Sequence, residues 1–187
     1  MNSEEERIAP HVKNKHTDDL IDHYWGSIMY ISNLIKASEL KAGLILSFYG
    51  ILLNFIYQNV GHVLAHFKND TIFYILLACW FASTVISIYF SVRCFMPRIE
   101  GKYEKNIFFF GDVITKFGSI KQFSKTFFHI SLDEDQLFDH LGQQIYINSK
   151  IAAMKFRNVN HALKFLALGL FILLTMVMYY VWVTSNS

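Results

Sequence analysis

Apolar residues fall into three long runs along this chain, and each run lacks Asp, Glu, Lys and Arg entirely. The runs cover residues 42–67, 71–92 and 165–187, which are 26, 22 and 23 residues long. A helix needs about 20 mostly apolar residues to cross the hydrocarbon core of a bilayer. The pattern therefore predicts three transmembrane helices, over residues 42–67, 71–92 and 165–184.

Two amphipathic segments lead directly into the first and third spans. Residues 17–41 repeat apolar positions at helical spacing, after a favourable helix start at Thr17. A second such helix is predicted to begin at Ser131, because Ser131 and Glu134 have the spacing of a capping box. No proline interrupts either segment before its span. We therefore expect two of the membrane helices to be continuous with long cytoplasmic helices.

Other local signals place further boundaries. Pro97 should end the second span near Met96, because the residue before a proline is biased away from helical backbone. Ser119 and Gln122 form a smaller capping box and predict the start of a shorter helix. Residues 1–16 are acidic and polar without an apolar core, which indicates a flexible tail and not a signal peptide. The fold class we expect is an all-α membrane protein.

The charged residues, 17% of the chain, lie outside the three runs, so the segments between the runs have an ordinary soluble composition. Sixteen of the 17 Lys and Arg residues lie in residues 1–41 and 93–164, and the other is Lys68. By the positive-inside rule those two segments are cytoplasmic, and the C-terminus is external. We expect residues 93–164 to be a cytoplasmic sensor segment that folds with 17–41 into a small helical domain.

Few residues suggest chemistry. The sequence lacks P-loop, dinucleotide-binding, zinc-protease and serine-hydrolase motifs, so we expect no enzymatic activity, no catalytic residue, no cofactor and no metal site. Two cysteines are too few for a disulfide framework. Asn54 and Gln58 lie one helical turn apart in the first span, and we interpret them as hydrogen-bonding between helices. We interpret His161 as a surface or packing residue.

Residues 93–130 carry a net charge of +4, with aromatic residues interleaved among the basic ones. Basic groups beside aromatic rings suit a ligand that carries a phosphate and a stackable base. The alternative is a juxtamembrane segment that is attracted to anionic lipid. Composition alone leaves both interpretations open.

Five short patterns, taken in order, resemble the Pycsar transmembrane effector family of bacterial anti-phage defence. They begin with the approach to the first span and the basic segment around Pro97. An N-x-x-F-F-G-like element and two further stretches follow, the last with Lys155 behind it. The five patterns are residues 33–42, 93–98, 106–112, 119–123 and 144–151.

The resemblance implies an effector in the bacterial inner membrane that is activated by a cyclic nucleotide bound on its cytoplasmic side. A partner cyclase would make that nucleotide, and the activated effector would impair membrane integrity and cause abortive infection. The expected partners are the nucleotide, the lipid bilayer and further copies in a homo-oligomer, with no nucleic acid polymer. From the chemistry of the residues, our candidates for nucleotide contact are Arg98, Lys105, Phe109, Lys116, Lys150 and Arg157.

Two other functions are compatible with the same pattern. A small pore-forming or toxin-like membrane protein would act without any ligand. A structural membrane scaffold with a lipid-binding cytoplasmic stalk would not damage membranes at all. A response to a nucleotide is the property that separates the effector from both.

The distribution of basic residues makes a testable prediction about topology. A reporter fused after Ser187 should be active only outside the cytoplasm, and one fused before Met1 only inside it, because the basic segments stay on the cytoplasmic side. Paired alkaline phosphatase and fluorescent protein fusions measure this. A cytoplasmic signal after Ser187 would contradict the three-span topology.

Overall fold

A computed structural model describes residues 15–66, 70–96 and 104–185, and within those ranges it contains helices and turns but no strand. Its helices are α1 Lys15–His66, α2 Thr71–Phe95, α3 Phe110–Thr115, α4 Ile120–Leu132 and α5 Glu134–Ser185. Helices α1, α2 and α5 are long and apolar enough to cross a membrane. The predicted all-α membrane protein with three spans is confirmed. Most of the predicted tail, residues 1–14, lies outside the described residues.

Helices α1 and α5 are each 52 residues long and run without a break. At 1.5 Å per residue, each is about 78 Å long, far more than the roughly 30 Å of a hydrocarbon core. The predicted segment 17–41 and residues 42–66 of the first span therefore share one helix, as the uninterrupted sequence predicted; residue 67 lies outside the described residues. The same holds for the helix that contains residues 165–184.

Local capping explains where the shorter elements begin and end. Helix α2 stops at Phe95, and Met96 is already extended, in agreement with the effect expected of the following proline. The Ser119 capping box is present, because Ser119 and Gln122 each accept a hydrogen bond from the other's backbone. Gly118 precedes it with a φ of 68°, a left-handed conformation that favours glycine.

The predicted start of α5 at Ser131 is wrong. Ser131 lies in the last turn of α4, where its hydroxyl donates to the Phe127 carbonyl at 2.7 Å. Asp133 caps α5 instead, since its carboxylate accepts from the backbone and the side chain of Gln136. Aspartate caps as well as serine does, so two competent caps two residues apart made the sequence ambiguous.

The chain divides into two compact units. The first comprises Met1–Tyr30 and Glu104–Tyr146, and the second comprises Ile31–Tyr103 and Ile147–Ser187. Helix α1 therefore contributes its first residues to the first unit and the rest to the second, and α5 does the same in the same order. Helix α2 belongs to the second unit alone.

The second unit is a bundle of α2 with the membrane segments of α1 and α5. Small polar residues line the buried face of α2, and they let the helices approach closely. The Ser87 hydroxyl donates to the Ala162 carbonyl of α5, and Ser83 donates to the Phe165 carbonyl, both at 2.8 Å. The buried small residues of this face are Ser83, Thr84, Ser87, Ser91 and Cys94.

Larger apolar side chains fill the remaining interior in layers. One layer joins Phe73, Trp80 and Met176, and another joins Ile45, Tyr49 and Ala162. A third, of Ala42, Cys94 and Val159, combines one residue from each helix. Each helix therefore buries a continuous stripe, although most of its surface stays available to lipid.

Two polar features of the membrane helices are the Asn54 and Gln58 side chains in α1 and Asp70 at the start of α2. Asn54 and Gln58 face away from the bundle, and the Gln58 amide donates to Asn54 at 3.4 Å within α1. The predicted interhelical hydrogen bond is therefore wrong within this chain, because both side chains lie on the outer face of α1. At the start of α2, Asp70 caps the Ile72 and Phe73 amides and accepts a hydrogen bond from the Tyr179 hydroxyl of α5.

The Asp70 cap joins one end of α2 to α5. The hydrogen bond from Tyr179 holds the pKa of Asp70 below its ordinary value, and the Phe73 and Ile72 amides act in the same direction. A carboxylate that is favoured in its charged form at a helix N-terminus also complements the helix dipole. This end of the bundle is thereby fixed by a polar contact at the edge of the apolar region.

The packing of α2 on α5 makes a prediction about Ser87. Ser87→Ala should lower the free energy of unfolding by only about 0.6 kcal/mol, the average for an interhelical hydrogen bond in a membrane protein. Ser87→Leu should cost about 1–3 kcal/mol, because the fully buried site has no room for three more carbon atoms. Unfolding of both variants in mixed micelles measures the difference. Equal costs would contradict close packing at this position.

Candidate functional site

The predicted contact residues are divided between the two units. Lys105, Phe109 and Lys116 belong to the first unit, whereas Lys150 and Arg157 lie on the α5 segment of the second. Arg98 lies outside the described residues. The structure groups the first three around one turn, residues 104–109, and the helix that follows it.

That turn is built on Asn106, which is fully buried. Its side-chain amide donates to the His140 carbonyl at 2.7 Å and lies 3.4 Å from the Gln143 Oε1. Its side-chain oxygen accepts from the Phe108 amide at 2.8 Å. The asparagine of the N-x-x-F-F-G-like element therefore anchors the turn to α5, and its role here is structural.

Lys116 is also committed to a structural contact. Asp112 is buried, and its carboxylate accepts a hydrogen bond from the backbone N–H of Asn106 at 3.0 Å. The Lys116 ammonium lies 2.9 Å from the other Asp112 oxygen. A buried carboxylate requires such partners, because it has left water. Lys105, in contrast, is exposed beside the same turn.

The aromatic residues of the first unit pack mainly against each other. Phe108 contacts both Trp25 and Phe127, with ring centroids 5.5 and 5.9 Å apart. Phe123 continues the series, at 5.8 Å from Phe127 and 5.5 Å from Phe117. These rings hold the unit together, and they are not free platforms for a base. Phe109 is half-buried, so one part of it remains accessible.

A buried lysine forms the main polar contact of the second unit. Lys155 of α5 is only 8% exposed. Its ammonium donates to the Glu39 carboxylate of α1 at 2.7 Å and to the Cys94 carbonyl of α2 at 2.6 Å. Three helices therefore meet at one charged group, directly beside the layer that contains Ala42 and Val159.

The electrostatics of this contact favour a cation. Cys94 lies in the last turn of α2, so its carbonyl has no partner within the helix. That end of the helix also carries a partial negative charge. Lys155 supplies a hydrogen bond and a positive charge at the same point. Glu39, which lies on α1, balances the charge of the Lys155 ammonium. Below we call Lys155, Glu39 and the Cys94 carbonyl the lysine clamp.

A pocket of about 120 Å³ opens beside the clamp, between the end of α2 and residues 151–161 of α5. Phe90 forms one wall, and its ring stacks on the His161 imidazole with centroids 5.0 Å apart. Arg93 is held in place by the Tyr89 hydroxyl at 3.2 Å and by the Tyr89 ring at 5.8 Å. The polar lining consists of Arg93, Lys155, Arg157, Asn158 and His161.

Of the polar residues that line the pocket, only Arg157 is among the contact residues predicted from the sequence. Arg93 adds to the net charge of residues 93–130 but is not among the predicted contacts. His161 is a packing residue, as interpreted, but it also lines the pocket. A basic residue in the last turn of a span was the available signal for Arg93. Among the described residues, no cluster of three or more potential metal ligands occurs.

The clamp makes a prediction about stability. Lys155→Met should lower the free energy of unfolding by about 2 kcal/mol, because it leaves a carboxylate and a helix-terminal carbonyl unpaired. The figure is below the 3–5 kcal/mol of a fully buried pair, since the Glu39 side chain is 39% exposed. Glu39→Gln should cost about 1 kcal/mol, because the amide oxygen still accepts a hydrogen bond.

Unfolding in micelles measures both effects, and Lys36→Met provides the matched control. Lys36 is an exposed lysine of α1 in the same unit, and its loss should change stability by less than about 0.5 kcal/mol. The two clamp substitutions together should cost less than the sum of their separate costs. Additive costs would show that Lys155 and Glu39 do not interact.

Comparison with known proteins places this arrangement in a family. The family model of the Pycsar effector protein domain, PycTM, matches residues 23–182, which include the clamp, all of α2 and most of α1 and α5. The Pycsar effector protein SaPycTM of Staphylococcus aureus is 31% identical over 143 residues, covering 75% of this chain and 83% of that protein. No solved structure matches the chain. The chain belongs to the Pycsar effector family.

Proposed function

We propose that this protein is an anti-phage effector that sits in the bacterial inner membrane and responds to a cyclic nucleotide. Membership of the Pycsar effector family supports the defence role, and three membrane-spanning helices support the location. A partner cyclase makes the nucleotide during infection. The activated protein then impairs the membrane, and the infected cell stops growing before phage are released.

The observation that carries the proposal is the continuity of α1 and α5. Each is one uninterrupted helix that belongs to the first unit at its start and to the membrane bundle at its end. A ligand that changes the first unit can therefore act on the bundle through the backbone of two helices. Such a ligand must bind the active state more tightly than the resting state, since equal binding shifts no equilibrium.

Within the first unit, the surface around Lys105 is the best candidate for nucleotide contact. Lys105 is exposed, and Phe109 is partly accessible on the same turn. Phe110, which follows it, is 80% exposed and adds an aromatic face. An ammonium group and accessible rings suit a phosphate and a base. Arg98, Lys116, Lys150 and Arg157 remain members of the wider candidate set, and Lys116 already pairs with Asp112.

Dye release from liposomes that contain the purified full chain tests the function. A panel of cyclic mononucleotides and cyclic oligonucleotides is added, and we expect one of them to raise the rate of release. Equal release with and without every nucleotide would identify a ligand-independent pore former. Absence of release under all conditions, with no nucleotide bound in calorimetry, would identify a scaffold. Either result would overturn the proposal.

A charge reversal tests the candidate contact. Lys105→Glu should raise the nucleotide concentration for half-maximal release about tenfold or more, the effect of losing one charge-assisted hydrogen bond. Lys125→Glu is the matched control, because Lys125 is an exposed lysine on α4 of the same unit. Its curve should shift much less. An identical shift for both variants would remove Lys105 from the site.

A further inference from the structure

The pocket beside the lysine clamp has the chemistry of a phosphate site. Arg93 and Arg157 line it, and the amide of Asn158 and the imidazole of His161 add polar groups. Arginine is suited to phosphate, because its planar guanidinium donates two parallel hydrogen bonds. The Lys155 ammonium is already occupied by Glu39 and the Cys94 carbonyl, so the two arginines supply the available charge.

The size of the pocket limits what fits. Sites that enclose whole small molecules have volumes of about 300–1,000 Å³. This pocket has about 120 Å³, which suits one phosphate group and not a complete nucleotide. The remainder of the ligand must then lie outside the pocket, along the surface of the bundle.

The position of the pocket matches the depth of lipid headgroups. Asp70 and Cys94, at opposite ends of α2, are 24 residues apart in the sequence. This corresponds to about 36 Å of helix, against a hydrocarbon core of about 30 Å. Arg93 precedes Cys94 directly, and the polar groups at both ends of α2 therefore bracket the core. A guanidinium at this level meets the phosphate layer of one leaflet.

The surface next to the pocket is apolar and exposed. Met96 is 63% exposed at the pocket edge, and Tyr89 and Val92 are 55% and 44% exposed on the same stretch of α2. Acyl chains lie against such a surface while the attached phosphate enters the pocket. A free nucleotide carries no acyl chain to cover the aliphatic part of this surface.

We propose that this pocket binds the phosphate group of an anionic phospholipid, held by Arg93 and Arg157 beside the lysine clamp. The single negative charge of the bound phosphate lies between two arginines and offsets one of their two positive charges, at the end of the α2–α5 pair. Basic pockets between membrane helices on the cytoplasmic side are suited to anionic headgroups. This assignment moves Arg157 from nucleotide contact to lipid contact, and it does not depend on the response to a nucleotide.

Native mass spectrometry of the full chain released from nanodiscs tests the proposal without any nucleotide. We expect retained phosphatidylglycerol from mixed nanodiscs, and little retained lipid from pure phosphatidylcholine. Arg157→Ala and Arg93→Ala should each reduce retention about tenfold or more, the effect of losing a charge-assisted hydrogen bond. Lys36→Ala, which removes an exposed charge from α1 outside the pocket, should reduce it about fivefold or less, the effect of general surface attraction.

The outcomes separate a specific site from its alternatives. Equal loss in the Arg157 and Lys36 variants would overturn the proposal, because only general attraction to lipid would remain. Displacement of the lipid by a cyclic nucleotide, with nucleotide binding that depends on Arg157, would also overturn it and assign the pocket to the nucleotide. Circular dichroism in phosphatidylcholine nanodiscs checks folding, and Arg157→Ala serves if Arg93→Ala unfolds through loss of its Tyr89 contact.

Discussion

A buried ammonium group must find acceptors, and in this protein that requirement joins three helices at one point. Lys155 can satisfy its charge only if α1 presents Glu39 and the end of α2 presents the Cys94 carbonyl. The small residues along α2 determine how closely the helices approach, but hydroxyl contacts and apolar layers tolerate small displacements. The charged contact does not tolerate them, because a shift of a few ångströms would leave an ion without partners in a medium of low dielectric.

The parts of the fold that sequence analysis predicted well depend on local signals. The three uncharged runs, Pro97 and the Ser119 capping box are each contained in one contiguous segment of the chain, and the structure agrees with each prediction made from them. The predicted start of α5 was wrong because Ser131 and Asp133 can both act as helix N-caps. The lysine clamp could not be derived from local spacing, since Glu39 and Lys155 are 116 residues apart. Glu39 nevertheless lies in the first of the patterns that resemble the family, and Lys155 follows the last.

The same distinction applies to the candidate site. Residue type and charge indicated the basic, aromatic character of residues 93–130, but they could not show which groups were already in use. Asn106, Asp112 and Lys116 satisfy one another, and the rings around Phe108 pack together. Arg157 and His161 are one turn apart on α5, and Arg93 becomes their neighbour only because α2 packs against α5. Their proximity is a property of the bundle and not of any segment.

Within the described residues, both ends of α2 are tied by side chains from elsewhere in the bundle. Tyr179 holds the Asp70 cap at one end, and Lys155 holds the Cys94 carbonyl at the other. Both partners come from α5, so sliding of α5 along α2 would break these two contacts together with the two serine hydrogen bonds. Pivoting of the pair about either end would preserve the contact at that end. Piston-like translation of α5 against α2 is therefore a costly motion for this bundle, and hinged splaying of the two helices is a cheaper one.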